Sequence, residues 1–173
     1  GGPARGVSPI KAGQSTTMLG LLDLDSHQGT TPWEQMVMVA GTVVMKLAYA
    51  GMHATPFRST GGKGIHLYVI WDRPQDAYSV RMALTSALAA SGFKSGTKGV
   101  ALGEIEVFPK QNAVPHDGHG NQFILPGYGQ SAPIDAFFGD VIPWESVSWT
   151  SSPDVPALER PLVDPTSAGA AKA

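Results

Sequence analysis

The chain has 173 residues, of which 42% are hydrophobic and 15% charged, enough apolar material for one packed domain and too much for whole-chain disorder. It contains no cysteine, which excludes disulfides and every cysteine-ligated zinc or iron–sulfur site, and no apolar run reaches the roughly 20 residues of a membrane span. Net charge is −2, with ten Lys/Arg against eight Asp/Glu in residues 1–117 and two against six in 118–173, so charge alone neither selects nor excludes a nucleic-acid partner. The expectation is a cytoplasmic protein with no membrane association.

In chain order, the first predicted element is a strand, "MLGLLDL" (18–24), apolar and followed by turn residues. Its end carries Asp23 and Asp25, two apart. Side chains alternate along a strand, so both carboxylates face one way and can share cations. Hard oxygen donors without a thiol nearby favour Mg²⁺ or Mn²⁺. A solvated strand end with two surface aspartates fits the same residues equally well.

"TPWE" then opens a helix, with Thr31 at a capping position, Pro32 in the first turn and Glu34 completing a capping-box pattern; the helix runs towards Gly51. The segment "STGGKGIH" precedes the next strand, "IHLYVIW" (65–71). Glycines let a backbone approach an anion with its N–H groups free, Lys63 adds positive charge, and His66 can donate from its ring to a phosphate oxygen. This is not a P-loop, which opens a helix and places Ser or Thr after the lysine. A hairpin turn followed by an ordinary sheet histidine is the alternative.

A second helix is predicted from Pro74 to about Ser91, with Val80, Leu84, Ala87 and Leu88 on one face. Two more strands follow, "EIEVF" (104–108) and "QFIL" (122–125). Glu104 and Glu106 share one face of the first, and Lys110 follows its end. Either glutamate could join the aspartate pair, or both could form a polar face opposite Ile105 and Val107. From about Ser151 the composition turns rich in Pro, Ser and Ala. That divides the chain into a domain over 1–150 and a tail or linker over 151–173, leading to a further C-terminal region.

Taken together, "LLDLD", "RSTGGKGIH", "IEVFPKQ" and "GHGNQFILP" resemble the archaeo-eukaryotic primase superfamily, in particular the primase-polymerase domains of phages, plasmids and other mobile elements. "STGGKGIHLY" is also similar to the polymerase domain of bacterial end-joining ligases. The resemblance implies an α+β fold, an RRM-like antiparallel sheet packed with a second α/β unit and an active site between them. It implies a nucleotidyl transferase that extends a primer on a DNA template from NTPs or dNTPs. Asp23, Asp25 and Glu106 would hold two divalent ions, Mg²⁺ or Mn²⁺. Arg58, Thr60, Gly61, Gly62, Lys63, Gly64, His66 and Lys110 would bind the nucleotide, and a helicase or priming domain would be a fused or separate partner. Other classes that fit the residues are a replication-initiation or nucleic-acid-binding module without synthesis, a metal-dependent nuclease, and a glycosyltransferase using its D-x-D.

Overall fold

The computed structural model describes residues 5–160. The strands are β1 (Gly6–Val7), β2 (Thr16–Leu24), β3 (Ala54–Arg58), β4 (Ile65–Asp76), β5 (Lys94–Ser95), β6 (Glu104–Phe108), β7 (Phe123–Ile124) and β8 (Ala132–Pro133); the helices are α1 (Trp33–Tyr49) and α2 (Ala77–Ala90). The fold is mixed α+β. Its main sheet has six strands in the order β5-β6-β2-β4-β3-β8, antiparallel except for the β5–β6 pair, and β1 pairs with β7 in a separate two-stranded sheet.

Alternation on the two long central strands decides which side of the sheet is covered. Leu22 and Leu24 of β2, Ile65, Leu67, Val69 and Trp71 of β4, and Ile105 and Val107 of β6 all point to one side. There they form the main core with Met36, Val43 and Leu47 of α1 and Val80, Leu84 and Leu88 of α2. Each such side chain removed from water contributes roughly 1.5–3 kcal/mol, so this layer carries most of the hydrophobic stabilisation. The opposite side holds a smaller cluster of Leu21, Phe57, Tyr68, Phe108 and Phe123. Since Phe123 belongs to β7, the two-stranded sheet lies over this side. Among the described residues the second layer consists of strands, loops and one 3₁₀ turn, Trp144–Ser146.

Several element boundaries differ from the sequence expectation. β4 continues through Pro74 to Asp76, because Thr16 and Thr17 of β2 pair with Asp76 and Gln75 beyond a bulge. The second helix therefore starts at Ala77, capped by Asp76, whose side chain accepts from the Ser79 N–H at 2.9 Å. The capping box at Thr31 is not formed: Pro32 is the N-cap, and the buried Thr31 hydroxyl has no partner among the described residues. β3 was not expected, since Pro56 demotes a short run. It pairs with both β4 and β8. The predicted strand at 122–125 shrinks to Phe123–Ile124 and leaves the main sheet.

Residues 151–160, where the composition changes, lie along β4 and α2. Ser152 N–H donates to the Ile70 carbonyl, the Trp71 indole donates to the Pro153 carbonyl, and Asp154 accepts from Gln75 and Arg73. The remainder of the expected tail, 161–173, lies outside the described residues. No helix among the described residues is long and apolar enough to cross a membrane.

Candidate active site

Register places the acidic and basic side chains in one line across the sheet. Asp23 is directly opposite Glu106 on one neighbouring strand and His66 on the other, and His66 is in turn opposite Phe57. Residues opposite one another share a face, so Glu106, Asp23 and His66 stand in a row on the side away from the helices. His66 Nε2 lies 3.3 Å from Asp23 Oδ1, and Lys110 forms an ion pair with Glu106 while its ammonium sits 5.0 Å from the Phe108 ring centre. Register also separates the two glutamates. Glu106 meets Asp23, whereas Glu104 turns to the edge of the sheet and accepts from the Lys98 N–H at 3.3 Å.

Asp25 follows β2 and is held locally. Its Oδ1 accepts from the His27 N–H at 2.7 Å, and the His27 ring contacts the Thr97 carbonyl at 3.0 Å. His27 and Gln28 both take positive φ, 41° and 62°, a conformation costly for residues with a side chain and favoured only where surroundings impose it. His27 is thereby a loop residue that fixes Asp25.

The glycine segment closes on itself. Ser59 N–H donates to the Gly64 carbonyl at 2.9 Å, Gly64 N–H donates to Ser59 Oγ at 2.9 Å, and Gly62, at φ 81°, donates to the Ser59 carbonyl at 3.0 Å. At Gly64 a Cβ would stand 2.7 Å from the Leu24 carbonyl, so only glycine lets the loop lie against the end of β2. Among the described residues the N–H groups of Thr60, Gly61 and Lys63 donate to no backbone acceptor. With the Lys63 ammonium, which donates to the Gln28 carbonyl at 3.4 Å, they are donors in a loop of the kind that can receive an anion.

The loop, Asp23 and His66 border an open cavity of about 400 Å³ lined by Asp23, Asp25, Ser26, Gln28, Ser59, Thr60, Gly61, Lys63, Gly64 and His66. Of the residues expected at the site, Asp23, Asp25, Thr60, Gly61, Lys63, Gly64 and His66 line it. Glu106 and Lys110 stand beside it through Asp23, and Gly62 lines a neighbouring pocket shared by Lys63 and Gln28. Arg58 is in register with Ile65, and its Nε donates to the Gln130 carbonyl at 2.8 Å. Ser59, Ser26 and Gln28 are lining residues that motif reading did not single out. The Ser59 role depends on a bond five residues along the chain, which no spacing rule reveals.

The donor set fits hard divalent cations, being carboxylate oxygen on one face with no thiol. Asp23 and Asp25 line the cavity, and Glu106 is the neighbour of Asp23 in register. In the present arrangement these acids are partnered by His66, the His27 N–H and Lys110, and no three His, Asp or Glu side chains among the described residues converge at metal-binding distance.

The LigD primase-polymerase domain family matches residues 9–97, a span that contains Asp23, Asp25, the glycine loop and His66 and ends before Glu106 and Lys110. No curated protein matches. Among solved structures the chain is similar to the polymerase domain from Mycobacterium tuberculosis Ligase D in complex with DNA, at 22% identity and a TM-score of 0.44, over 71% of this chain and 44% of that one. The chain thus spans less than half the length of that structure. The family match extends over just over half of the 173 residues, and the protein belongs to the LigD primase-polymerase domain family.

Proposed function

We propose that this primase-polymerase-type domain is a template-directed nucleotidyl transferase that joins NTPs or dNTPs to a primer 3′-hydroxyl and releases pyrophosphate. The observation that carries the reading is that Asp23, Asp25 and His66 line one cavity with the glycine loop and Lys63, while Glu106 stands next to Asp23 in register. Acidic groups at one side and anion donors at the other suit a substrate that brings a triphosphate and a metal together.

The N–H groups of Thr60, Gly61 and Lys63, the Lys63 ammonium and the His66 ring would grip the triphosphate, fixing the α-phosphorus for in-line attack. Positioning of this kind supplies much of the rate in phosphoryl chemistry. Asp23, Asp25 and Glu106 would hold two divalent ions, Mg²⁺ or Mn²⁺, which when bound lower the pKa of the 3′-hydroxyl and offset charge on the leaving pyrophosphate. Lys110, now paired with Glu106, lies at the row's other end, where a phosphate of primer or template would meet it. DNA as template and primer, a helicase or priming partner, and service to a phage, plasmid or other mobile element complete the proposal; the "GHGNQFILP" and "EVFPKQ" segments support the last.

The test is extension of a labelled primer-template with Mn²⁺ or Mg²⁺ and nucleotides. Wild-type protein is expected to extend it, and Asp23→Ala/Asp25→Ala to drop to background with an unchanged melting temperature. Extension retained by the double variant would refute the assignment. Degradation of the DNA with metal alone would mark a nuclease.

A further inference from the structure

We propose that Tyr68 is a positioning residue for His66, its buried hydroxyl fixing the imidazole so that Nε2–H faces Asp23 and the cavity. The proposal rests on the reading of that cavity as a nucleotide site. Tyr68 lies two residues beyond His66 on β4, hence on the same face, and is only 2% exposed. Its hydroxyl is 3.4 Å from His66 Nδ1 and 3.4 Å from the Ile124 carbonyl.

The proton placement follows from the partners. Nε2 is the ring nitrogen 3.3 Å from Asp23 Oδ1, which can only accept, so a hydrogen on Nε2 is the placement that avoids two opposed lone pairs. In the neutral ring Nδ1 is then an acceptor, and the Tyr68 O–H is the donor within reach. Burial first, and the Asp23 charge second, push the Tyr68 ionisation well above that of an ordinary phenol, so the hydroxyl keeps its proton. The Ile124 carbonyl, at the same 3.4 Å, is a second acceptor that competes for the hydroxyl's one hydrogen.

The tyrosine is itself held rigidly. Phe57 meets it edge-on at 5.5 Å between ring centres, and Phe123 and Trp149 each stand at 6.2 Å. A histidine that must donate from Nε2 to a phosphate oxygen gains from such a fixed partner on its other nitrogen, because neither tautomer nor ring angle then has to be selected on binding. In "IHLYVIW" the tyrosine reads as one more aromatic core residue; only its hydroxyl's placement separates it from that role.

Tyr68→Phe removes the hydroxyl and keeps the ring. The dissociation constants of ATP and dATP in Mn²⁺ are expected to rise about two- to tenfold, the worth of one hydrogen bond. The nucleotide KM should rise similarly, with kcat changed less. The same substitution made in a His66→Ala background is expected to cost nothing further, since the residue through which Tyr68 acts is gone. Equal losses in both backgrounds, or no loss in either, would overturn the proposal. Imidazole ¹⁵N shifts of His66 at a pH where the ring is neutral separate this from the broader assignment. They should show the Nε2–H tautomer in wild type and a changed signature in Tyr68→Phe. Shifts unaltered by the substitution would overturn the positioning role even if nucleotide binds, whereas altered shifts in a protein that binds neither nucleotide would uphold the contact and refute the nucleotide site.

Discussion

The two faces of the central sheet are built from the same strands and do opposite work. On β4, Ile65, Leu67, Val69 and Trp71 point to the helices and are almost completely dry, while His66 and Tyr68, interleaved with them, point the other way into the row that meets Asp23. On β2 the same holds for Leu22 and Leu24 against Leu21 and Asp23. A one-residue slip of register would exchange the two sets and bury the carboxylates under the helices, so the apolar face specifies the position of the polar one. The chemistry is held in place by a core that it never touches.

The sharpest way to break that comparison is to substitute neighbours. Leu67→Ala opens a cavity in the fully buried helix-side layer and is expected to cost about 2–5 kcal/mol, seen as a lower denaturation midpoint. His66→Ala, one residue away, is expected to leave that midpoint nearly unchanged and to raise the nucleotide KM, with less effect on affinity for a primer-template. If the two variants destabilised alike, His66 would belong to the packed cluster of its face rather than to a site.

Much of the candidate site's geometry was legible in the sequence because its parts are local. Asp23 and Asp25 share a face by alternation alone, and the glycine loop with Lys63 and His66 is a contiguous string. What alternation cannot do is separate Glu104 from Glu106, which share a face; pairing sets Glu106 opposite Asp23 across the sheet, and pairing is non-local. The unexpected strand β3 shows the same limit. "ATPFR" is short and contains a proline, yet between β4 and β8 it is part of the sheet and sets Phe57 beside His66. The helix expected at Pro74 likewise gave way to strand because β2 is long enough to pair there.

Arg58 sharpens the comparison from the edge of the loop. Its register with Ile65 puts it on the other side of the sheet from His66, and its Nε braces the Gln130 carbonyl, while Gln130 N–H donates to the Thr60 carbonyl at 2.9 Å. Residues 127–131 are thereby tied to the glycine loop. Arg58→Ala is expected to lower stability by about 1 kcal/mol, the size of one partly exposed hydrogen bond, and to change the nucleotide KM less than about threefold. A rise of tenfold or more, about 1.4 kcal/mol, would instead make Arg58 a direct phosphate ligand that reaches the cavity on binding.

The smallest expected effect on activity lies where the far end of β4 meets α2. Asp76 caps α2 through Ser79 and pairs with Arg160 at 2.9 Å, tying residues near the end of the described chain to the strand. Burial alone would raise its pKa, but the hydrogen bonds from Arg160 and Ser79 together hold it below the usual aspartate range. A depressed carboxyl pKa means stability that is present above the unfolded value of about 3.9 and is lost as pH falls through the folded one. Asp76→Ala should therefore cost about 0.5–2 kcal/mol near neutrality, as loss of a cap does. The gap between wild type and variant should hold down to about pH 5 and narrow below about pH 4, where protonation removes from the wild type what the substitution removed from the variant. Thermal unfolding of both proteins across that range measures it; a gap that stayed constant into acid would mean that Asp76 acts through its shape and not its charge. Primer extension at neutral pH should be unchanged in this variant, because Asp76 lies at the opposite end of β4 from Ile65 and the glycine loop.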